Sequence, residues 1–87
     1  MRNIEKDFTF NGTRYGINAD FYVNSDDNFE IVNLNLWDLD ADVEVLDFKA
    51  CSPFYPADLD DVVADEAMEK KINAVILDEV DQGILAW

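Results

Sequence analysis

Histidine is missing from these 87 residues altogether. Its absence removes the commonest general base, the Ser–His–Asp and Cys–His arrangements, and every imidazole metal ligand. Cysteine occurs once, at Cys51, so no internal disulfide can form, and a reducing compartment, the cytoplasm, is the expected setting. With Ser52 beside it and no neighbouring base, Cys51 is expected to be chemically inert. The three glycines form no phosphate-cradling pattern, which excludes a P-loop or dinucleotide fingerprint. No apolar run approaches the roughly 18 residues of a membrane-spanning helix. The opening Met1–Asp7 stretch resembles neither a signal peptide nor a membrane anchor. Carboxylate pairs are plentiful, but a chain this small rarely builds the cleft that glycoside chemistry needs. Catalysis and a bound cofactor are therefore not expected.

Positive charge is the other scarcity. Six bases face twenty acids, giving a formal charge of −14 and a pI near 4.1. Such a field repels nucleic acid and anionic membrane and attracts basic surfaces, while opposing compaction through self-repulsion. Solubility alone, or life in a salty cytoplasm, would also account for it. Hydrophobic residues make up 49% of the chain and aromatics 13%, enough for a real core in a single domain spanning residues 1–87.

Alternation predicts the first half to be strands. Asp7–Phe10 and Arg14–Val23 flank the turn signal Asn11-Gly12, which predicts a hairpin. In the second strand Tyr15, Ile17, Ala19, Phe21 and Val23 share one face, and Arg14, Asn18, Asp20 and Tyr22 the other. A polar loop, 24–28, leads to a third strand, Phe29–Trp37. Val32, Leu34 and Leu36 face one way there, and Ile31, Asn33, Asn35 and Trp37 the other. After a glycine-free turn, Asp42–Phe48 forms a fourth strand whose parity slips, because Val43 and Val45 oppose Leu46 and Phe48. A bulge near Val45-Leu46 would reconcile them.

The second half reads as helix. Leu59, Val62, Val63 and Ala67 cluster on one side, and Met68, Ile72, Val75 and Ile76 on the opposite side, so one continuous helix does not fit. A short turn of helix at Pro56–Val63, with Pro56 at its first position, is expected to precede a main helix over about Asp65–Val80. Gly83 is placed to cap that helix, and Ile84–Trp87 forms an apolar tail. The fold class is α+β: a four-stranded antiparallel meander followed by a short and a longer helix packed on one face of the sheet.

The acids are unevenly spread. Between Arg14 and Lys70 the chain holds fifteen acids and one base, Lys49. Asp38, Asp40, Asp42 and Glu44 recur at two-residue spacing, and Asp58, Asp60 and Asp61 nearly so. In an extended segment alternate side chains lie about 6.8 Å apart on one face, a spacing and sign like those of a nucleic-acid backbone. Asp47, Asp65, Glu66 and Glu69 extend the band. The triplet Asp38, Asp40 and Asp42 also begins like a calcium loop, but Val43 and Lys49 stand where such a loop needs glycine and glutamate, so no metal site is expected.

A compact, highly acidic, single-cysteine domain of this size resembles the small accessory proteins encoded by bacteriophages, among them DNA mimics and inhibitors of host defence such as anti-restriction and anti-CRISPR proteins. The resemblance lies in size, charge and architecture across the whole chain, without a diagnostic motif, and no functional residue is carried over from it. It implies binding and occlusion in place of catalysis.

The expected function is thus a non-catalytic acidic protein that occupies a basic, nucleic-acid-binding surface of a partner protein, without itself binding nucleic acid or membrane. The acids named above would act as phosphate surrogates. Because charge alone gives little specificity, outward-facing Trp37 and Tyr22 are the candidate apolar anchors. Burial of Trp37 under the helix or in a dimer is its competing role. Two other readings stand beside this one: self-association, as in a homodimer, through the sheet and the Ile84–Trp87 tail, and a calcium-responsive acidic domain.

Overall fold

Asn11 and Gly12 both take positive φ, 52° and 78°, the pair of left-handed residues that a two-residue hairpin turn favours. They join β1 (Arg2–Phe10) to β2 (Thr13–Val23) in unbroken antiparallel register, from Phe10 opposite Thr13 to Arg2 opposite Phe21. The computed structural model describes residues 2–23 and 29–85, with side chains for all of these except 29 and 81–85. β3 (Phe29–Asp38) pairs with β2, and β4 (Val43–Lys49) with β3, completing the meander β1-β2-β3-β4. β1 begins five residues ahead of the strand expected from alternation, because β2 is long enough to template it.

Two bulges set the faces of the sheet. Asp20 lies opposite Asn33 but Phe21 opposite Ile31, so Val32 is the extra residue in β3. That insertion rotates Ile31 back onto the core side, where it is fully buried. The expectation that Ile31 faces outward with Asn33 is therefore overturned. In the second bulge Leu36 faces Leu46 while Trp37 faces Glu44, leaving Val45 over. This lies where the slipped parity of the fourth strand called for it.

A further strand was not anticipated. β5 (Ala57–Asp58) pairs with Ile31 and Glu30 of β3. Lys49 stands opposite Asn33, and the Ala50 amide donates to the Val32 carbonyl at 2.8 Å. β5 thus resumes the line of β4 after residues 51–56 have left the edge and returned to it. Pro56 precedes this strand and does not open a helix. α1 (Leu59–Val62) is a single turn, shorter than the expected Pro56–Val63 segment.

α2 (Glu66–Leu85) is the rod on which the sheet closes. Asp65 stops the chain between the helices: its Oδ1 accepts from the amides of Ala67 at 2.9 Å and Met68 at 3.2 Å, a side-chain cap for otherwise unpaired amides. Met68, Ile72, Val75, Ile76 and Val80 recur at helical spacing and are all buried. They meet Ile4, Ile17, Ala19, Phe21, Ile31, Leu34 and Leu36 of the sheet, with Leu59 and Val63 closing one end. Ala67, grouped with Leu59 and Val63 by its position on the helical wheel, is exposed. The helix also continues through Gly83, which therefore does not cap it; one glycine costs a helix only about 1 kcal/mol. The 24–28 loop, Ala86, Trp87 and the side chains of the remaining tail lie outside the described residues. No helix among the described residues is long and apolar enough to cross a membrane.

Both helices lie against the face carrying Ile17 and Leu36. Among the described residues the opposite face of the sheet bears no helix.

Candidate functional site

Strand register arranges the uncovered face into rows. Tyr22, Glu30 and Asp58 form the first; Asn3, Asp20, Asn33 and Lys49 the second. Glu5, Asn18, Asn35 and Asp47 make the third, and Asp7, Gly16, Trp37 and Glu44 the fourth. The middle strands carry the amides Asn18, Asn33 and Asn35 together with Asp20, and Glu5, Asp7, Glu44 and Asp47 lie on the outer strands. Asn3 Nδ2 donates to Asp20 Oδ1 at 2.8 Å and to Asn18 Oδ1 at 3.0 Å. Asn33 Nδ2 donates to Asp20 Oδ2 at 3.0 Å, and Asn35 Nδ2 to Asp47 Oδ1 at 2.8 Å. These bonds hold the carboxylates of Asp20 and Asp47 in defined places without neutralising them.

Along the edges the charges are spaced as extended backbone dictates. Glu5 and Asp7 stand two residues apart on β1, about 6.8 Å along the strand. Glu44 and Asp47 share the face on β4, brought into phase by the bulge at Val45. Three strand intervals separate the two lines, about 14 Å. Among the described residues the cations on this face are Lys49 and Arg14, and Arg14 Nε lies 3.5 Å from Asp40 Oδ1.

Several acids singled out in the sequence have other positions. Asp38, Asp40, Asp42 and Glu44 do not form a row, because the chain turns between the strands at Leu39–Asp42. Asp38 lies across from Tyr15, on the helix-covered side, and its Oδ1 accepts from the amides of Asp40 and Ala41. Asp40 Oδ2 accepts from the Arg14 amide at 3.0 Å. Asp42 takes φ 56°, a left-handed conformation that aspartate tolerates better than most residues. Asp60 and Asp61 lie in the first turn of α1, Asp65 caps α2, and Glu66 Oε1 lies 3.5 Å from Lys70 Nζ. Glu69 is half-buried on α2. The acids at 58–69 are thus a second group on the helices, joined to the uncovered face through Asp58.

Trp37 lies on the uncovered face, half-buried, and not under a helix. Its neighbour across the strands is Gly16, over which Leu39 folds: a Cβ at Gly16 would meet Leu39 Cδ2 at 3.3 Å. Trp37, Leu39, Gly16, Glu5 and Asp7 border a shallow hollow of about 200 Å³. Tyr22 is at the far end of the same face, six residues along β2 from Gly16 and so about 20 Å away. The sequence reading missed Glu5, Asp7 and Asp20 as site residues: it began the first strand at Asp7 and so left Glu5 out, and it did not single out Asp7 or Asp20 although it placed both in strands.

On the other side, a cleft of about 500 Å³ opens between the sheet and the α1–α2 junction, lined by Phe10, Tyr15, Leu36, Leu46, Val45 and Met68. Its polar border is Asn11, Tyr15 and Asp65. Asp58, Asp60 and Asp61 hold carboxylate oxygens within 4.8 Å of one another on the exposed surface, the group among the described residues closest to a metal-ligand set. Comparison of the chain with protein families, with curated proteins and with solved structures returned no match.

Proposed function

We propose that this is a non-catalytic acidic binding protein whose helix-free sheet face occupies a basic, nucleic-acid-binding surface of a partner protein. One observation carries the reading: the two carboxylate lines, Glu5–Asp7 and Glu44–Asp47, flank middle strands that carry Asn18, Asn33, Asn35 and Asp20, and Lys49 and Arg14 are the described cations on this face. Regular negative charges about 14 Å apart, with hydrogen-bonding groups between them, offer lysines and arginines the contacts a nucleic-acid groove offers. The field of a −14 chain steers the encounter. Trp37, seated between the lines beside Gly16, supplies apolar contact at the centre. The resemblance to phage-encoded inhibitors of host defence points the same way, and exposed Cys51 suits a reducing cytoplasm.

Self-association through the sheet has less support. Edge strand β1 turns Lys6 inward, and edge strand β4 carries a bulge and charged residues, features that discourage strand-to-strand pairing.

The test is capture from a bacterial extract, followed by competition. A nucleic-acid-handling protein retained in stoichiometric amount should be released by raising salt from about 0.1 M to about 0.5 M. Duplex DNA should displace it, and the variant E5Q/D7N/E44Q/D47N should bind at least about tenfold more weakly, since each screened or removed charge weakens the pair. A partner indifferent to salt, to duplex DNA and to that variant would overturn the reading.

A further inference from the structure

Phe54 and Tyr55 are 87% and 78% exposed, although adjacent aromatics are among the costliest side chains to leave in water. The chain around them is held firmly. Residues 51–56 leave the sheet edge after Ala50, whose amide donates to Val32, and return at Ala57, which lies opposite Ile31. The loop therefore starts and ends at neighbouring positions of β3. Ser52 orders its tip: the Tyr55 amide donates to the Ser52 carbonyl at 3.0 Å and the Phe54 amide to Ser52 Oγ at 3.2 Å. A loop pinned at both feet and braced at its tip presents two aromatics that fold stability does not use.

The surroundings define what would receive them. Asp58 follows three residues after Tyr55, within about 11 Å even for fully extended chain. Its carboxylate clusters with those of Asp60 and Asp61, and Asp58 pairs across the strands with another acid, Glu30. Like charges facing each other across a sheet are unfavourable, and a partner cation would relieve them. The described ion pairs leave Asp58, Asp60 and Asp61 without a lysine or arginine.

We infer that Phe54 and Tyr55 form the anchor of a protein interface, inserting into an apolar slot whose rim carries lysine or arginine set against Asp58, Asp60 and Asp61. Buried aromatics surrounded by polar contacts dominate the energetics of such interfaces. The inference rests on the proposal that the chain binds a basic partner, and it adds the contact that gives specificity beyond charge.

The experiment places the photo-crosslinking residue p-benzoylphenylalanine at position 54 of the full chain, in the bacterial extract, with exposed position 74 on α2, away from the uncovered sheet face, as control. The crosslinked protein is then purified and its affinity measured. Phe54→Ala/Tyr55→Ala should weaken binding at least about tenfold at every salt concentration, as loss of an anchor does. D58N/D60N/D61N should weaken it several-fold at low salt and little at high salt. Both variants should melt at or above the wild-type temperature, since these side chains are exposed. No crosslink above the control, a crosslink to a second copy of this chain, or a purified partner indifferent to either variant would overturn the inference. If the tip variants bind normally while E5Q/D7N/E44Q/D47N does not, the anchor fails and the reading of the sheet face stands. If neither set matters, both fail.

Discussion

Lys6 Nζ lies 3.5 Å from Asp78 Oδ2, tying edge strand β1 to the C-terminal half of α2 across 72 residues of sequence. The lysine occupies a core-facing position of the strand, between Ile4 and Phe8, and also lies 3.6 Å from Glu79 Oε2. Its stem covers apolar surface while its ammonium reaches the helix rim. The contact places one of six bases where two acids of the rod meet the sheet.

Lys6→Ala should therefore cost less than about 1 kcal/mol, the range of partly exposed ion pairs. Lys6→Glu should cost more, because it turns two attractions into repulsions. Urea unfolding at low and high salt checks this: the gap between the two variants should shrink as salt rises.

Ile72 is fully buried at the centre of α2. Ile72→Ala should destabilise the protein by about 2–5 kcal/mol, the cost of lost burial plus the remaining cavity. Against a total of about 5–15 kcal/mol for a typical domain, that loss should appear as a large drop in denaturation midpoint. A change below about 0.5 kcal/mol would mean that α2 does not pack on the sheet through this residue.

Asp65→Ala should remove the cap of α2 and cost about 1 kcal/mol. Asp61→Ala, on exposed α1, should cost little or stabilise slightly by relieving its acidic neighbours. Thermal melts followed by circular dichroism would separate the two variants, and equal effects would contradict the capping role.

Gly12 holds φ +78° in the β1–β2 turn. Space for a methyl group is open there, so the penalty for Gly12→Ala is conformational alone. It should be about 1–2 kcal/mol, the cost of left-handed backbone for an L-residue. Chemical denaturation reads it directly.

Wild-type stability should itself rise with salt. Screening shortens the range of repulsion among twenty acids far more than it weakens the few ion pairs. A melting temperature unchanged from about 0.05 M to about 0.5 M sodium chloride would contradict this, since the screening length falls about threefold over that range.

The sequence by itself determined what depends on near neighbours. Alternation in Arg14–Val23 set which side of β2 is buried, Asn11-Gly12 set the hairpin, and the spacing of Met68, Ile72, Val75 and Ile76 set the buried face of α2. The clash of Val45 with Leu46 called for a bulge in β4. Trp37 and Tyr22 were legible as candidates because simple parity carries them to the uncovered face, whereas Glu44 and Asp47 share that face only through the bulge at Val45, and Asp58, expected in a helical turn, reaches it through β5.

What only the tertiary structure decided depends on which residue lies across from which. The bulge at Val32 brings Ile31 into the core, and no local pattern signals it, because either parity of β3 offers apolar residues. β5 exists because Glu30 and Ile31 leave an edge for Ala57 and Asp58 to join. Asp38, Asp40 and Asp42 were drawn into a turn, where their oxygens satisfy backbone amides and Arg14. Glu5 entered the site through pairing with Asn18, since the first half of β1 has too few apolar residues to announce itself, and Asp7, already in an expected strand, through pairing with Gly16. Side-chain parity is a property of one strand, whereas a charged surface is assembled from several, and only the register between strands places its charges.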